Sequence, residues 1–314
     1  MRCFRYLALL AALPMAAHNV STLKVRILST MLADEEGFGE WGFAALVEAD
    51  GRRILFDTGA HPDTVLRNLA ALKIDISDVT DVVLSHHHLD HTAGLVTLRE
   101  AFLKRNPNAL ATTHVGTGIM IQRTAKDGSP ANPMLTIRAA YEKTGGRFIE
   151  HGAPVEIYPG VWLTGPIPRK YPERNWNPGR RIPGTAGDLG EDNLPEDQSL
   201  VVETAKGLVV VAGCSHAGIV NILDFSRSKL RQSPIHAVIG GFHLFAATEN
   251  TLAWTAGKFK EFGLQNLLGA HCTGIEAVYR LRELVGLDRK TAAVGALGGG
   301  FTLGVGLDPG DIAR

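Results

Sequence analysis

The stretch LSHHHLDHTAGL, residues 84 to 95, places four histidines and an aspartate within six consecutive positions, His86 to His91. The apolar, β-branched run Val82-Val83-Leu84 precedes it and a helix-like segment follows. Side chains with ligand atoms leaving the end of a buried strand are the pattern of a metal site. At i and i+2 off an extended strand, His86 and His88 point to the same side. Asp90 and His91 come a turn later and can face a second ion. Neutral imidazoles with a carboxylate suit Zn²⁺, and also Fe or Mn, as one ion or two. His87 alternates outward and is read as a non-ligand. Thr92 lies near the start of the following helix, so capping is a competing role for Asp90.

Outward from that stretch, the pattern is α/β. TLKVRILST (22–30) alternates as a strand. GFAALVE (42–48) and RILF (53–56) flank Ala49-Asp50-Gly51, a hairpin turn because Asp-Gly tolerates positive φ. Asp57-Thr58-Gly59 ends the second strand. Val65, Leu69 and Leu72 share a helical face, as do Leu95, Leu98 and Phe102. Residues 108–113 return as a short strand ending at His114, near the site or capping a turn. Residues 115–160 are less regular, with short strands near 148–150 and 155–158, and a further one follows at 161–164. Residues 166–197 form the longest irregular stretch, rich in Pro, Gly, Arg and Asp. A loop of that length reads as a lid, a substrate-contact loop or a solvated insertion. From Ser199 a hairpin resumes, and later strands end at Cys214-Ser215-His216, at His243 and at His271, each leading into a helix. The second half repeats the first in outline, so two sheets sandwiched between helices, with a site at the strand ends where the halves meet, satisfy the pattern.

The composition permits this. The chain has 314 residues, of which 45% are apolar, enough for a sizeable core. Lysine plus arginine equals aspartate plus glutamate, 32 against 32, which gives no electrostatic reason to expect a nucleic-acid partner. A short basic start (Arg2, Arg5), an apolar run from Tyr6 to Ala17 and the small pair Ala16-Ala17 have the layout of a secretory signal peptide. That run is too short to span a bilayer, and nothing later reaches transmembrane length. Residues 1–17 are therefore read as a leader on a single domain spanning 22–314, and the protein as exported; a cytoplasmic protein with an apolar N-terminal helix is the alternative. Cys214 and Cys272 each lie within two residues of a candidate histidine ligand, which suggests site residues rather than a disulfide framework.

The motif His86-x-His88-x-Asp90-His91 resembles the HxHxDH signature of the metallo-β-lactamase superfamily. Asp57 in LFDTG resembles the aspartate that superfamily carries on an early strand. GFAALVEADGRRILFDTG (42–59), GPIPR (165–169), EDQSLVVET (196–204), GCSHAGIVNIL (213–223), GGFHL (240–244) and AHCTG (270–274) resemble its dihydropterin ribofuranosyl-aminobenzene-phosphate synthase-like branch. The resemblance covers roughly residues 24–303. It implies a four-layered αββα sandwich, one metal held by His86 and His88, and a second held by Asp90, His91 and His271. Asp57 is then expected to fix the histidine loop by hydrogen bonds.

The middle ligands depart from the superfamily pattern. No histidine stands in Asn193-Leu194-Pro195-Glu196-Asp197-Gln198, and the strand at 208–212 ends in Cys214 rather than aspartate. His216 is the expected replacement ligand, with Cys214 a thiolate ligand, a neighbour of the ligands or a buried filler, the latter two favoured because a thiolate is more oxidisable. His243 reads as a proton donor or substrate contact beside Asp90, or as a packing residue. Arg169, with Arg174, Arg180 and Arg181, is a candidate for recognising a phosphate or carboxylate on a small-molecule substrate. The expected chemistry is hydrolysis of an ester, lactone, phosphoester or amide by metal-bound hydroxide. The alternatives are a transferase of the synthase type and a non-catalytic metal-binding module.

Overall fold

The structure is a computed structural model that describes residues 18–183 and 189–313. The expected leader, 1–17, and residues 184–188 of the long loop lie outside the described residues. The chain runs β1 (Leu23–Ser29), β2 (Ala44–Ala49), β3 (Arg52–Phe56), α1 (Thr64–Ala71), β4 (Asp81–Val83), α2 (Leu89–Thr92), α3 (Leu95–Leu103), β5 (Thr112–Gly116), α4 (Met134–Lys143) and β6 (Arg147–His151). It continues through β7 (Val155–Tyr158), β8 (Val161–Leu163), β9 (Arg181–Pro183), β10 (Leu189–Glu191), β11 (Ser199–Thr204), β12 (Gly207–Ala212), α5 (Ile219–Phe225) and β13 (Ile235–Gly240). It ends with α6 (Glu249–Glu261), β14 (Asn266–Gly269), α7 (Ile275–Val285), β15 (Ala292–Val294), β16 (Gly300–Thr302) and β17 (Gly306–Asp308).

Two large sheets form. The first has the order β17-β16-β1-β2-β3-β4-β5-β6, the second β15-β14-β13-β12-β11-β8-β7. Within each, one half is antiparallel and the other parallel: β3 to β6 in the first sheet and β12 to β15 in the second. Their facing surfaces bury Val25, Ile27, Val47, Phe56 and Val83 against Leu163, Leu200, Val209, Val211 and Ile239. Helices α1, α3 and α4 cover the outside of the first sheet, and α5, α6 and α7 the outside of the second. The αββα sandwich follows from this: strands such as GLVVVA and IHAVIG are apolar on both faces because both faces are covered. Each fully buried Val, Leu or Ile contributes roughly 1.5–3 kcal/mol, so the inter-sheet layer holds the two parallel edges in register.

Local signals place the boundaries. Asp50 (φ 44°) and Gly51 (φ 79°) make the expected two-residue turn between β2 and β3. The Asp50 carboxylate also accepts from the backbone of Thr22 at 2.8 Å. Thr248 accepts from the Thr251 amide to start α6, and Gly286, left-handed at φ 85°, ends α7.

Three expectations change. Residues 134–143 form a helix, where the sequence reads as irregular; among its side chains only Met134 and Tyr141 are buried, so the apolar stripe is too sparse to see. His114 lies inside β5 rather than at its end, with Nε2 3.0 Å from Asp81 and Nδ1 2.9 Å from His151. It therefore neither caps a turn nor joins the histidine cluster. The loop at 166–197 contains a small ribbon, β9 paired with β10.

Candidate metal centre

The parallel strands of both sheets end on one rim. Asp57 follows β3, His86 to His91 follow β4, Cys214 and His216 follow β12, His243 follows β13, and His271 and Cys272 follow β14. Ligands gather outside the carboxyl ends of parallel strands because the chain must turn there into a helix. Asp57, Ser215, His243 and His271 all adopt left-handed backbone conformations, with φ between 47° and 57°. Such conformations cost non-glycine residues on the order of 1–3 kcal/mol each and concentrate where side-chain direction matters.

His86, His88 and His216 bring ligand atoms within 4.8 Å of one another. Their protonation is dictated by what stands behind them. The Ser85 hydroxyl donates to Asp57 Oδ2 at 2.8 Å, so it accepts from His86 Nδ1 at 2.9 Å. His216 Nδ1 donates to the Asn175 carbonyl. Both rings thereby direct an unprotonated Nε2 inward, and both Nε2 atoms are buried without a protein partner. Burial pushes His86 and His88 well below the usual imidazole range, and His216 down to about 3. An unpartnered buried acceptor costs about 1–3 kcal/mol; two converging lone pairs with a third imidazole beside them fit a divalent cation.

Asp90, His91 and His271 form a second group. His91 Nε2 lies 3.3 Å from His271 Nε2, and Asp90 Oδ2 lies 3.7 Å and 3.4 Å from those two atoms. His91 Nδ1 donates to Asp57 Oδ2 at 2.7 Å, which again leaves Nε2 as an acceptor. Burial alone would raise Asp90, but His91 and His271 hold its carboxyl well below the usual range. Burial alone would lower His271; the Cys272 sulfur and Asp90 carry it up to about 10. Asp57 serves both groups, since its Oδ1 also accepts the Ser85 amide at 2.7 Å. Gly213 makes room for this network: a Cβ there would collide with Ser85 Oγ and come within 2.6 Å of Asp57 Oδ2. The N-cap position of α2 is His88, and Asp90 lies inside the first turn, so Asp90 is not the capping residue.

Residues 42–220 match the metallo-beta-lactamase superfamily. The chain belongs to that superfamily. It is 31% identical over 241 residues, 75% of this chain and 81% of the relative, to the 7,8-dihydropterin-6-methyl-4-(beta-D-ribofuranosyl)-aminobenzene-5'-phosphate synthase of Methanocaldococcus jannaschii. A solved metal-dependent hydrolase of the beta-lactamase superfamily superposes with a TM-score of 0.70 at 25% identity, covering 90% of this chain and 99% of that one. The metallo-beta-lactamase fold protein YhfI from Bacillus subtilis superposes with a TM-score of 0.55 at 13% identity, covering 90% and 99%.

Around this superfamily centre, several side chains are not where the sequence suggests. His87 is fully buried rather than outward, with Nδ1 2.7 Å from Glu196. Residues 192–198 fold over the histidine loop and convert its outer side into interior. Glu196 in turn accepts from Arg123 at 2.6 Å, and Arg123 donates to Asp192 at 2.9 Å, all three fully buried. Arg169 does not face a cleft. Its guanidinium donates to the carbonyls of Ile167, Asn193 and Leu194 and tacks the base of the long loop together. Arg180 instead lines a cleft of about 940 Å³ with His88, Asp90, Trp41 and Asn132. One Nη donates to the Ala131 carbonyl, and among the described residues no carboxylate pairs with Arg180. A second cleft, about 570 Å³, opens on His243 and is walled by Leu244, Phe245 and Trp254. Trp41 and Phe245, 47% and 52% exposed, meet edge to face between the two clefts at 5.4 Å.

The sulfur atoms occupy the inner side of the centre. Cys214 Sγ is 3.2 Å from His243 Nδ1 and 3.0 Å from Cys272 Sγ, and both cysteines are free thiols. Cys272 was visible in the sequence only through its adjacency to His271.

Proposed function

We propose that the chain is a metal-dependent hydrolase of a small anionic ester, lactone, phosphoester or amide. The observation that carries this reading is the convergence of buried, unpartnered imidazole nitrogens from His86 and His216, with His88, beside the Asp90–His91–His271 group on the rim of an open cleft. His86, His88 and His216 would hold one divalent cation, zinc being the best match to the donor set, and Asp90, His91 and His271 a second. Bound there, such an ion supplies Lewis acidity and brings the ionisation of water towards neutral pH. The remaining work falls to the chain. Asp57 and Ser85 lock the tautomers and directions of His86 and His91. Asp90 stays ionised between His91 and His271 and lines the cleft. Arg180 attracts the anionic part of the substrate, and His243, half-buried at the second cleft, delivers a proton to the leaving group. Trp41 and Phe245 wall the two clefts with apolar surface.

Turnover of a panel of aryl esters, lactones and phosphodiesters, before and after chelation and with Zn²⁺ or Mn²⁺ returned, tests the proposal. Activity is expected to disappear with chelation and return with metal. Equal rates before and after chelation contradict it. A second reading, a transferase joining an aminobenzoate-type ring to a phosphoribosyl group, is favoured by the 31% identity to the synthase. Product formation from phosphoribosyl pyrophosphate and an aminobenzoate, with no hydrolysis of the panel, would select it. Export through residues 1–17 is proposed separately; a mature protein beginning near residue 18 in the secreted or periplasmic fraction is the expected result.

A further inference from the structure

We propose that Cys214, Cys272 and His243 form a sulfur-rich ligand group on the inner wall of the metal centre, so that a bound divalent cation there acquires thiolate ligands. The inference rests on the metal-binding reading above, adds two sulfurs that reading does not use, and assigns His243 Nδ1 to the ion, which leaves Nε2 as the ring nitrogen for proton delivery. Three observations carry it. The three ligand atoms lie within 4.8 Å of one another, and Cys214 also belongs to a group with His86 and His91, so its sulfur joins the imidazole side to the sulfur side. Cys214 Sγ is within 3.8 Å of His271 Nε2, a member of the second imidazole group. Cys272 Sγ packs directly against the strand ends: at Gly241 a Cβ would come within 2.2 Å of the Gly213 carbonyl oxygen and 2.8 Å of Cys272 Sγ.

A packing role explains these sulfurs poorly. Two thiols filling a core do not need a histidine ring at 3.2 Å, nor a left-handed backbone at His243 to present it. Binding of M²⁺ by both cysteines exchanges two S–H protons for two M–S bonds and releases both protons to solvent, with no change of oxidation state. Thiolate ligation selects borderline-soft ions such as zinc over magnesium, calcium or manganese.

The test uses the full chain carrying Cys3→Ser, so that only two thiols remain. After chelation it is loaded with Co²⁺, a spectroscopic substitute for zinc. Visible d–d bands report cobalt at the centre, and a near-ultraviolet sulfur-to-cobalt charge-transfer band reports thiolate ligation. We expect both, with the charge-transfer band reduced by half or more in each of Cys214→Ala and Cys272→Ala while the d–d bands persist. Cobalt is also expected to slow the reaction of both thiols with a thiol reagent at least tenfold in the native protein, a readout that needs no cysteine variant to fold. Visible bands with no charge-transfer band, a band undiminished by either substitution, or unprotected thiols overturn the sulfur group and leave the imidazole sites standing. Absence of the d–d bands overturns the metal reading itself. If no thiol reacts after chelation and denaturation without reductant, the pair is a disulfide and the proposal is wrong.

Discussion

At the scale of single residues, Asp57 has consequences beyond its own contacts. It is fully buried at a left-handed turn, and its two oxygens accept the Ser85 amide, the Ser85 hydroxyl and His91 Nδ1. Substituting asparagine replaces one of those acceptors with an NH₂ that cannot accept from either partner. Asp57→Asn is expected to weaken metal binding by ~10–100-fold, the usual effect of losing a carboxylate behind a ligating histidine. Competition against a chromophoric chelator measures this, and unchanged affinity would mean the ligands are held by something else. Arg180 carries a second prediction. With one Nη engaged by the Ala131 carbonyl and the rest of the guanidinium facing the cleft, Arg180→Ala should raise KM by about tenfold for anionic substrates, leaving kcat and neutral substrates little altered. Equal loss on charged and neutral substrates would assign it to loop structure instead.

At the scale of elements, the long loop is tied to the helix that follows the GCSH turn. Gly218, at φ 94°, begins α5 without a side-chain cap of its own. Glu173 supplies one from the loop, accepting from the amides of Val220 at 3.1 Å and Asn221 at 2.9 Å. Gly218 is required for this approach, because a Cβ there would overlap the Glu173 carboxylate. Removing the cap in Glu173→Ala should cost about 1–2 kcal/mol in urea denaturation. The same group gives a pH dependence. Burial pushes Glu173 up to about 7 from an ordinary value of 4.5. Between those values the folded chain binds a proton that the unfolded chain does not, so this contribution to stability grows as pH falls from about 7 towards 4.5. Denaturation midpoints of wild type and Glu173→Gln should therefore diverge over that window, with wild type gaining on acidification; parallel profiles would contradict the assignment. None of this was legible in the sequence, where Glu173 is one charge among many in an irregular stretch. The strands were legible, since runs such as LVVVA admit few readings. So was the hairpin at Asp50-Gly51, whose turn chemistry is local. Helix α4 was not, because its stability comes from two buried side chains and its docking on the sheet.

At the scale of the molecule, two parallel half-sheets present their carboxyl ends to one rim, and the centre assembles from both. The first half of the site was readable from one contiguous motif, because four imidazoles and a carboxylate after a buried strand have few structural uses. The second half is spread over Cys214 to Cys272, and its geometry appears only when β12, β13 and β14 align. The burial of His87 was beyond reach for the same reason: its cover comes from Glu196 and Arg123, 109 and 73 positions apart along the chain from their respective partners His87 and Glu196. That covering network is a fourth point of test. Arg123→Met leaves Glu196 and Asp192 buried without their counter-charge, and should destabilise the fold by roughly 3–5 kcal/mol in denaturant unfolding. A loss below about 1 kcal/mol would mean the carboxylates are satisfied otherwise. The metal content of the purified protein beside that of His216→Ala decides whether the two sheets meet to hold a catalytic metal, as proposed. Bound divalent metal is expected in the wild type, and loss of the ion shared by His86, His88 and His216 in the variant, with chelator-sensitive turnover lost alongside it. Full metal content in His216→Ala would contradict it.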